Sequence, residues 1–158
     1  MAPENVSALT IWIDADACPK PIKEILYRAS ARRQLPLVLV ANVPLRTPVS
    51  ALISTLVVPA GVDAADDEIV RRVSPGDLVV SADIPLAAEV VKKGAYCLDP
   101  RGTLHTEDTI HDRLSLRNLL DELRSPLNQN FGGPPAFRQK DCQAFANQLE
   151  CFLNSAKK

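Results

Sequence analysis

The sequence predicts a three-layer, doubly wound α/β fold with a parallel sheet, and three observations predict it. Short apolar runs at residues 9–14, 37–41, 55–58, 77–81 and 95–98 read as buried strands. Stretches with apolar residues three and four apart lie between them and read as amphipathic helices. The strands are continuously apolar rather than alternating, which is how strands covered on both faces and joined by crossovers look. A length of 158 residues suits one domain over 1–158, with its core over about 9–125 and a C-terminal loop and helix over 131–155.

Each element has its local reason. LTIWID over 9–14 ends in Asp14. Pro19 and Pro21 suit the first turn of the next helix, where a missing N–H costs nothing. Ile22, Ile25, Leu26 and Ala29 carry that helix to about Arg33. LVLVA over 37–41 is the second strand and TLVV over 55–58 the third, with Pro44, Pro48 and a short helix around 49–54 between them. Asp66 or Asp67 caps a helix that turns Ile69, Val70 and Val73 inward, and Pro75-Gly76 stops it. DLVVS over 77–81 is the fourth strand. Asp83, just before Pro85, opens a helix bearing Leu86, Ala87, Val90 and Val91, and Gly94 closes it. AYCL over 95–98 is the fifth strand and leads to Asp99. Beyond residue 100 the pattern turns helical, with Ile110, Leu114, Leu116, Leu119, Leu120 and Leu123 marking one stretch. Cys142, Phe145, Ala146, Leu149, Phe152 and Leu153 mark another, and Phe131-Gly132-Gly133-Pro134-Pro135 separates the two.

Composition excludes several classes. Aromatics make up 4% of the chain, too few for rows of base-stacking platforms. A formal net charge of -1 argues against gripping nucleic acid by bulk electrostatics. Local basic patches remain available from Arg32, Arg33, Arg71, Arg72, Lys92, Lys93 and Arg101. Cys18, Cys97, Cys142 and Cys151 form no CxxC pair and no zinc-like spacing. Residues 1–8 lack a signal peptide's basic start, and no stretch approaches the ~20 apolar residues of a membrane span. Together these features predict a cytoplasmic chain with reduced thiols.

The carboxylates are the functional signal. In an open parallel sheet, ligands bind beyond the carboxyl ends of the strands, where strand order reverses. Asp14 ends the first strand, Asp16 follows in its loop, Asp83 follows the fourth strand and Asp99 the fifth. Asp63, Asp66 and Asp67 follow the third, so all are expected at one edge; Asp77 begins its strand and belongs to the opposite edge. Carboxylates gathered without Lys or Arg repel one another, and a divalent cation relieves that repulsion. All-oxygen donors suit Mg²⁺ or Mn²⁺ rather than zinc. The competing reading is that each Asp caps a helix. Cys18 stands at a helix N-terminus, which lowers a thiol's pKa, although neighbouring carboxylates raise it. His105 and His111 are general-base candidates. Arg101, in Asp99-Pro100-Arg101-Gly102, is placed to meet a phosphate. Residues 132–135 read as a lid or a packing turn.

The succession IDADACP (13–19), VAN (40–42), VPAGVDAADDEIV (58–70), GDLVVSADIPLA (76–87), LDPRG (98–102), GGPP (132–135) and RQKDCQAFANQL (138–149) resembles the YaiI/YqxD family of bacterial proteins over nearly the whole chain. More distantly, the chain is similar to PIN-like nuclease domains. That resemblance implies Asp14, Asp67 and Asp83, the last within Ser81-Ala82-Asp83, as metal ligands and catalytic residues. Asp16 and Asp99 complete the catalytic set, while Asp63, Asp66 and Glu68 compete for the place of Asp67. It implies Mg²⁺ or Mn²⁺ as cofactor and RNA as the partner, with Arg101, Asn42 and Arg46 on the substrate side.

Three functions are therefore expected in competition. The first is metal-dependent phosphodiester hydrolysis, in which the ion activates a water and holds the charge developing on phosphate. The second resembles haloacid-dehalogenase-type phosphatases, with Asp14 as nucleophile and Asp16 as acid/base; Cys18 stands where that family has Thr or Val. The third is a non-catalytic RNA or protein adaptor that docks through residues 132–135.

Overall fold

The computed structural model describes residues 9–59, 64–107, 109–110, 115 and 139–156. Its sheet strands are β1 Ile11–Asp14, β2 Leu37–Ala41, β3 Ile53–Val57, β4 Leu78–Val80, β5 Tyr96–Leu98 and β6 Leu104–His105. The described helices are α1 Lys20–Arg33, α2 Ala64–Arg72, α3 Ile84–Lys92 and α4 Gln139–Ala156, with a 3-10 turn at Ala15–Ala17. Strand order is β3-β2-β1-β4-β5-β6, parallel from β3 through β5, with β6 antiparallel to β5. The direction of winding reverses between β1 and β4, so the crevice of a doubly wound sheet opens beyond the ends of those two strands.

Alternation along the strands sorts the core into two layers. Ile11, Ile13, Leu37, Leu39, Leu78, Val80 and Leu98 face α1 and α4, meeting Ile22, Leu26, Phe145 and Leu149. Val40, Val79 and Cys97 face the other way, toward Ile69 of α2 and Ala87 and Val90 of α3. Two-sided burial explains the unbroken apolar runs: both sets of side chains are inside.

Three details differ from the sequence expectations. No helix forms around 49–54; a turn at 51–52 leads into β3, which starts at Ile53. There Leu37 N donates to Leu52 O at 2.8 Å, and β2 supplies the bonding edge that one isolated helical turn lacks. Asp66 and Asp67 are not caps, because α2 begins at Ala64 and places both in its first turn, where acidic groups complement the helix dipole. The chain after β5 does not leave the sheet but folds back as β6. Asp99-Pro100-Arg101-Gly102 is the turn: Gly102 N donates to Asp99 O at 2.8 Å and Asp99 N to Thr103 O at 2.8 Å. The helix expected from Ile110 to Leu123, apart from Ile110 itself, and the segment 131–135 lie largely or wholly outside the described residues. Among the described residues no helix is long and apolar enough to cross a membrane. All four cysteines are free thiols.

Candidate functional site

The carboxyl edge gathers most, though not all, of the acidic candidates. Asp14 is the last residue of β1 and is buried, with 8% of its surface exposed. Its Oδ2 accepts a hydrogen bond at 3.3 Å from Ser81 Oγ, which lies one residue past β4. The same hydroxyl accepts from Asp83 N at 3.0 Å, so Ser81 ties the two acids together across the switch point. Asp83 is the N-cap of α3, its Oδ1 taking Leu86 N at 3.0 Å. The capping reading is therefore true of Asp83, and it engages one carboxylate oxygen only. Asp16, exposed in the 3-10 turn, accepts from Asn42 N at 3.0 Å and so fastens the β1–α1 loop to the start of the β2–β3 connection.

Asp99 accepts from Arg101 N at 2.7 Å inside its turn. Asp67 is exposed on α2 and no described contact links it to the other acids. Asp63 and His111 lie outside the described residues. Asp77 is at the opposite edge, as expected, where it accepts from Thr10 N, Trp12 Nε1 and Ser74 N at 3.1, 3.1 and 3.0 Å.

Electrostatics mark the same cluster. Burial pushes the Asp14 carboxyl above its ordinary range, Asp83 and Asp16 push it further, and the Ser81 hydroxyl opposes them. Beneath the acids, Cys97 donates to Ser81 O at 3.6 Å. Its thiol is pushed up by burial first and then by Asp99, with Asp83 and Asp14 adding to the rise. Asp14, Asp16, Asp83 and Asp99 thus share one electrostatic neighbourhood. Among the described residues, however, no three His, Cys, Asp or Glu side chains close into a shell around a metal-sized point. The donor chemistry fits Mg²⁺ or Mn²⁺, being hard oxygens in excess, and no Lys or Arg side chain is bonded to Asp14, Asp16 or Asp83 among the described residues.

Other candidates change character. Cys18 is buried, and burial pushes its thiol up to about 12, with Lys23 opposing and Asp14 adding; an activated nucleophile needs the reverse. The expected helix-terminus effect loses to desolvation. His105 is buried in β6 opposite Cys97, within the sheet and not on the rim. Arg101 is ion-paired with Asp141 of α4 at 3.0 Å, a partner forty residues away in the chain. Asn42 and Arg46 are exposed on the β2–β3 connection, and Asn42 contributes its backbone rather than its amide to Asp16. Two residues were not singled out from sequence. One is Ser81, whose signal was the Ser-x-Asp spacing; the other is Gly102, whose signal was the Pro-x-Gly turn.

A family model described as "Uncharacterized BCR, YaiI/YqxD family" matches residues 12–155. A UPF0178 protein of Thioalkalivibrio sulfidiphilus is 57% identical over 145 residues, covering 92% of this chain and 98% of that one. A UPF0178 protein of Cronobacter sakazakii is 54% identical over 150 residues, covering 95% and 99%. The UPF0178 protein YaiI of an Escherichia coli strain is 59% identical over 142 residues, covering 90% and 93%. No solved structure matches the chain at a significant level.

Proposed function

The chain belongs to the YaiI/YqxD family, and from that premise we propose that it is a Mg²⁺- or Mn²⁺-dependent phosphodiesterase acting on RNA. One observation carries the reading: Asp14 is buried at the switch point with, among the described residues, a single hydroxyl donor and two like-charged neighbours, an arrangement costly to a fold without a counter-charge. The distant likeness to PIN-like nuclease domains supports RNA as the substrate. A divalent ion held by Asp14 and Asp83, with Asp16 or Asp67 completing its shell, would supply an acidified water and a counter-charge for the scissile phosphate.

The chain's own part is positioning. Ser81 holds the Asp14 carboxylate by one oxygen and the Asp83 backbone by the other side of the same hydroxyl. Asp83 spends Oδ1 on the helix cap, which restrains its side chain, while Oδ2 makes no hydrogen bond among the described residues. Asn42 N restrains Asp16 in the same way. Asp99 stands at the margin, ordered by Arg101 N, as an acceptor able to orient water.

The test is cleavage of single-stranded RNA by purified protein in Mn²⁺ with and without Asp14→Asn. Cleavage is expected to fall to background while the thermal transition stays cooperative. Equal cleavage by parent and variant would remove the proposal.

A further inference from the structure

The basic residues divide by where they sit. At the far end of α1, Arg32 and Arg33 pair with Glu150 of α4, and Arg33 also reaches Asn154. Arg71 and Arg72 share Glu68, and Lys92 pairs with Glu89. Lys93 Nζ donates to Val70 O and Arg101 pairs with Asp141. Every cation named in the sequence as a possible basic patch is thus committed to a partner.

Lys20, Lys23 and Lys140 are not: none makes an ion pair or side-chain hydrogen bond among the described residues. Arg28 and Arg46 share that freedom, but Arg28 lies further along α1, away from the carboxyl edge.

Topology puts the three lysines at one place. α1 starts at Lys20, a short turn after the carboxyl end of β1. α4 runs parallel to α1, because Asp141 in its first turn meets Arg101 at the carboxyl-edge hairpin while Glu150 meets Arg32 and Arg33 at the other end. The first turns of both helices therefore stand at the edge that carries Asp14, Asp16 and Asp83. Lys23 and Asp14 both act electrostatically on the buried Cys18 sulfur, so both lie in its neighbourhood.

We infer that Lys20, Lys23 and Lys140 form a phosphate-holding rim beside the carboxylates, and that the substrate is an extended single-stranded RNA rather than a small phosphate ester. The inference rests on the phosphodiesterase reading and extends it. A small ester engages the acids and what they bind, whereas lysines spread over the first turns of two neighbouring helices suit the phosphates that flank the one being cut. Recognition by these lysines is of the phosphate backbone rather than of bases. Among the described residues, Trp12 is half-buried and bonded to Asp77, Tyr27 packs against the core, and Tyr96 begins β5 at the opposite edge, so none is an open stacking platform here. Binding is accordingly sequence-tolerant and salt-sensitive.

The experiment measures binding of a fluorescein-labelled 12-nucleotide single-stranded RNA of mixed sequence, by anisotropy across a salt series. The host is Asp14→Asn, with and without Lys20→Gln, Lys23→Gln and Lys140→Gln. Three lost phosphate contacts are expected to lower the log–log salt slope by about 2, at ~0.7 per contact on a single strand, and to weaken binding at least about tenfold at low salt. The double variant Lys20→Gln, Lys140→Gln, which alters exposed side chains only, is expected to lower the slope by about 1.4. A charge-matched control, Arg71→Gln, Arg72→Gln, Lys92→Gln, is expected to change the slope much less. A loss no larger than the control's, or no RNA binding by the host, overturns the rim.

Mn²⁺-dependent hydrolysis of bis-p-nitrophenyl phosphate, with Asp14 intact, separates the two readings. Hydrolysis together with lysine-independent RNA binding leaves the phosphodiesterase and removes the rim. Lysine-dependent RNA binding with neither RNA nor the small diester cleaved leaves the rim and removes the phosphodiesterase.

Discussion

Asp14 and Asp77 stand at opposite ends of the same pair of adjacent strands, both buried, at 8% and 6% exposure, and the fold treats them in opposite ways. Asp77 receives three donors, from the backbone of β1's approach, the β1 indole and the turn before β4. It is a fastener. Among the described residues Asp14 receives one hydroxyl at 3.3 Å and feels the like charges of Asp83 and Asp16. A buried carboxylate is retained without loss when hydrogen bonds replace its water, and at a cost when they do not. The amino edge uses its acid to hold the sheet together, while the carboxyl edge keeps its acids under-bonded and so available. Local rules broken without a structural gain tend to mark function.

The strongest way to break this comparison is Asp77→Ala. It orphans two backbone N–H groups and an indole N–H in a partly buried place, at about 1–3 kcal/mol each before relaxation or water entry. A net loss of about 4 kcal/mol is expected, lowering Tm by on the order of 10 °C for a chain of this size. Urea unfolding with unchanged m-value checks it. A loss under about 1 kcal/mol would mean that Asp77 is no fastener.

Next in size is Gly102→Ala, which asks what holds the carboxyl edge if not its acids. Gly102 has φ +100°, a backbone that L side chains rarely adopt, and a Cβ there would lie 2.8 Å from the Ala144 carbonyl carbon of α4. The β5–β6 hairpin and α4 therefore touch backbone to backbone, reinforced by Arg101 and Asp141. A loss of about 2–3 kcal/mol is expected from strain and displacement together. Adding Ala144→Gly removes the 2.9 Å contact with that residue's Cβ but neither the backbone contacts nor the φ, so it should restore only part of the loss. Full restoration would show that side-chain crowding alone was at stake.

What could be read in the sequence was what is local. Strands buried on two faces announce themselves as apolar runs, and Asp83 before Ile84-Pro85 announces a cap because its partner, Leu86 N, is three residues on. Asp77 was separable from the other acids by strand polarity alone. What stayed hidden depends on distant partners. Arg32 looks like a free surface cation until α4 brings Glu150, 118 residues away, beside it. Arg101 looks like a phosphate ligand until Asp141 meets it. The lysines that remain uncommitted, Lys20, Lys23 and Lys140, carry no local mark of that freedom. The helix expected around 49–54 failed for the same reason: Pro48 and Ser50 resemble a helix start, but the open edge of β2 is a better partner.

The smallest effect is the one that separates the two acids most sharply. Asp14→Asn keeps the shape and the Ser81 contact but removes a charge that burial and two neighbouring carboxylates disfavour. The sign follows from linkage. The folded pKa of Asp14 lies above its unfolded value of about 3.8, so the folded state binds the proton more tightly than the unfolded chain. Stability from this group is lost as pH rises from 3.8 through the folded pKa and stays lost above it. At pH 7 in chelator, Asn should therefore raise Tm slightly, by about 2 °C or less, and the gain should shrink as pH falls toward 4. Differential scanning fluorimetry of both proteins over that pH range reads it directly. Asp77→Asn should do the opposite and lose stability, because an amide replaces a carboxylate that already has three donors. Were Asp14→Asn to cost as much as Asp77→Asn, the carboxyl-edge acid would be a structural fastener too, and the case for a cation at the switch point would lose its main support.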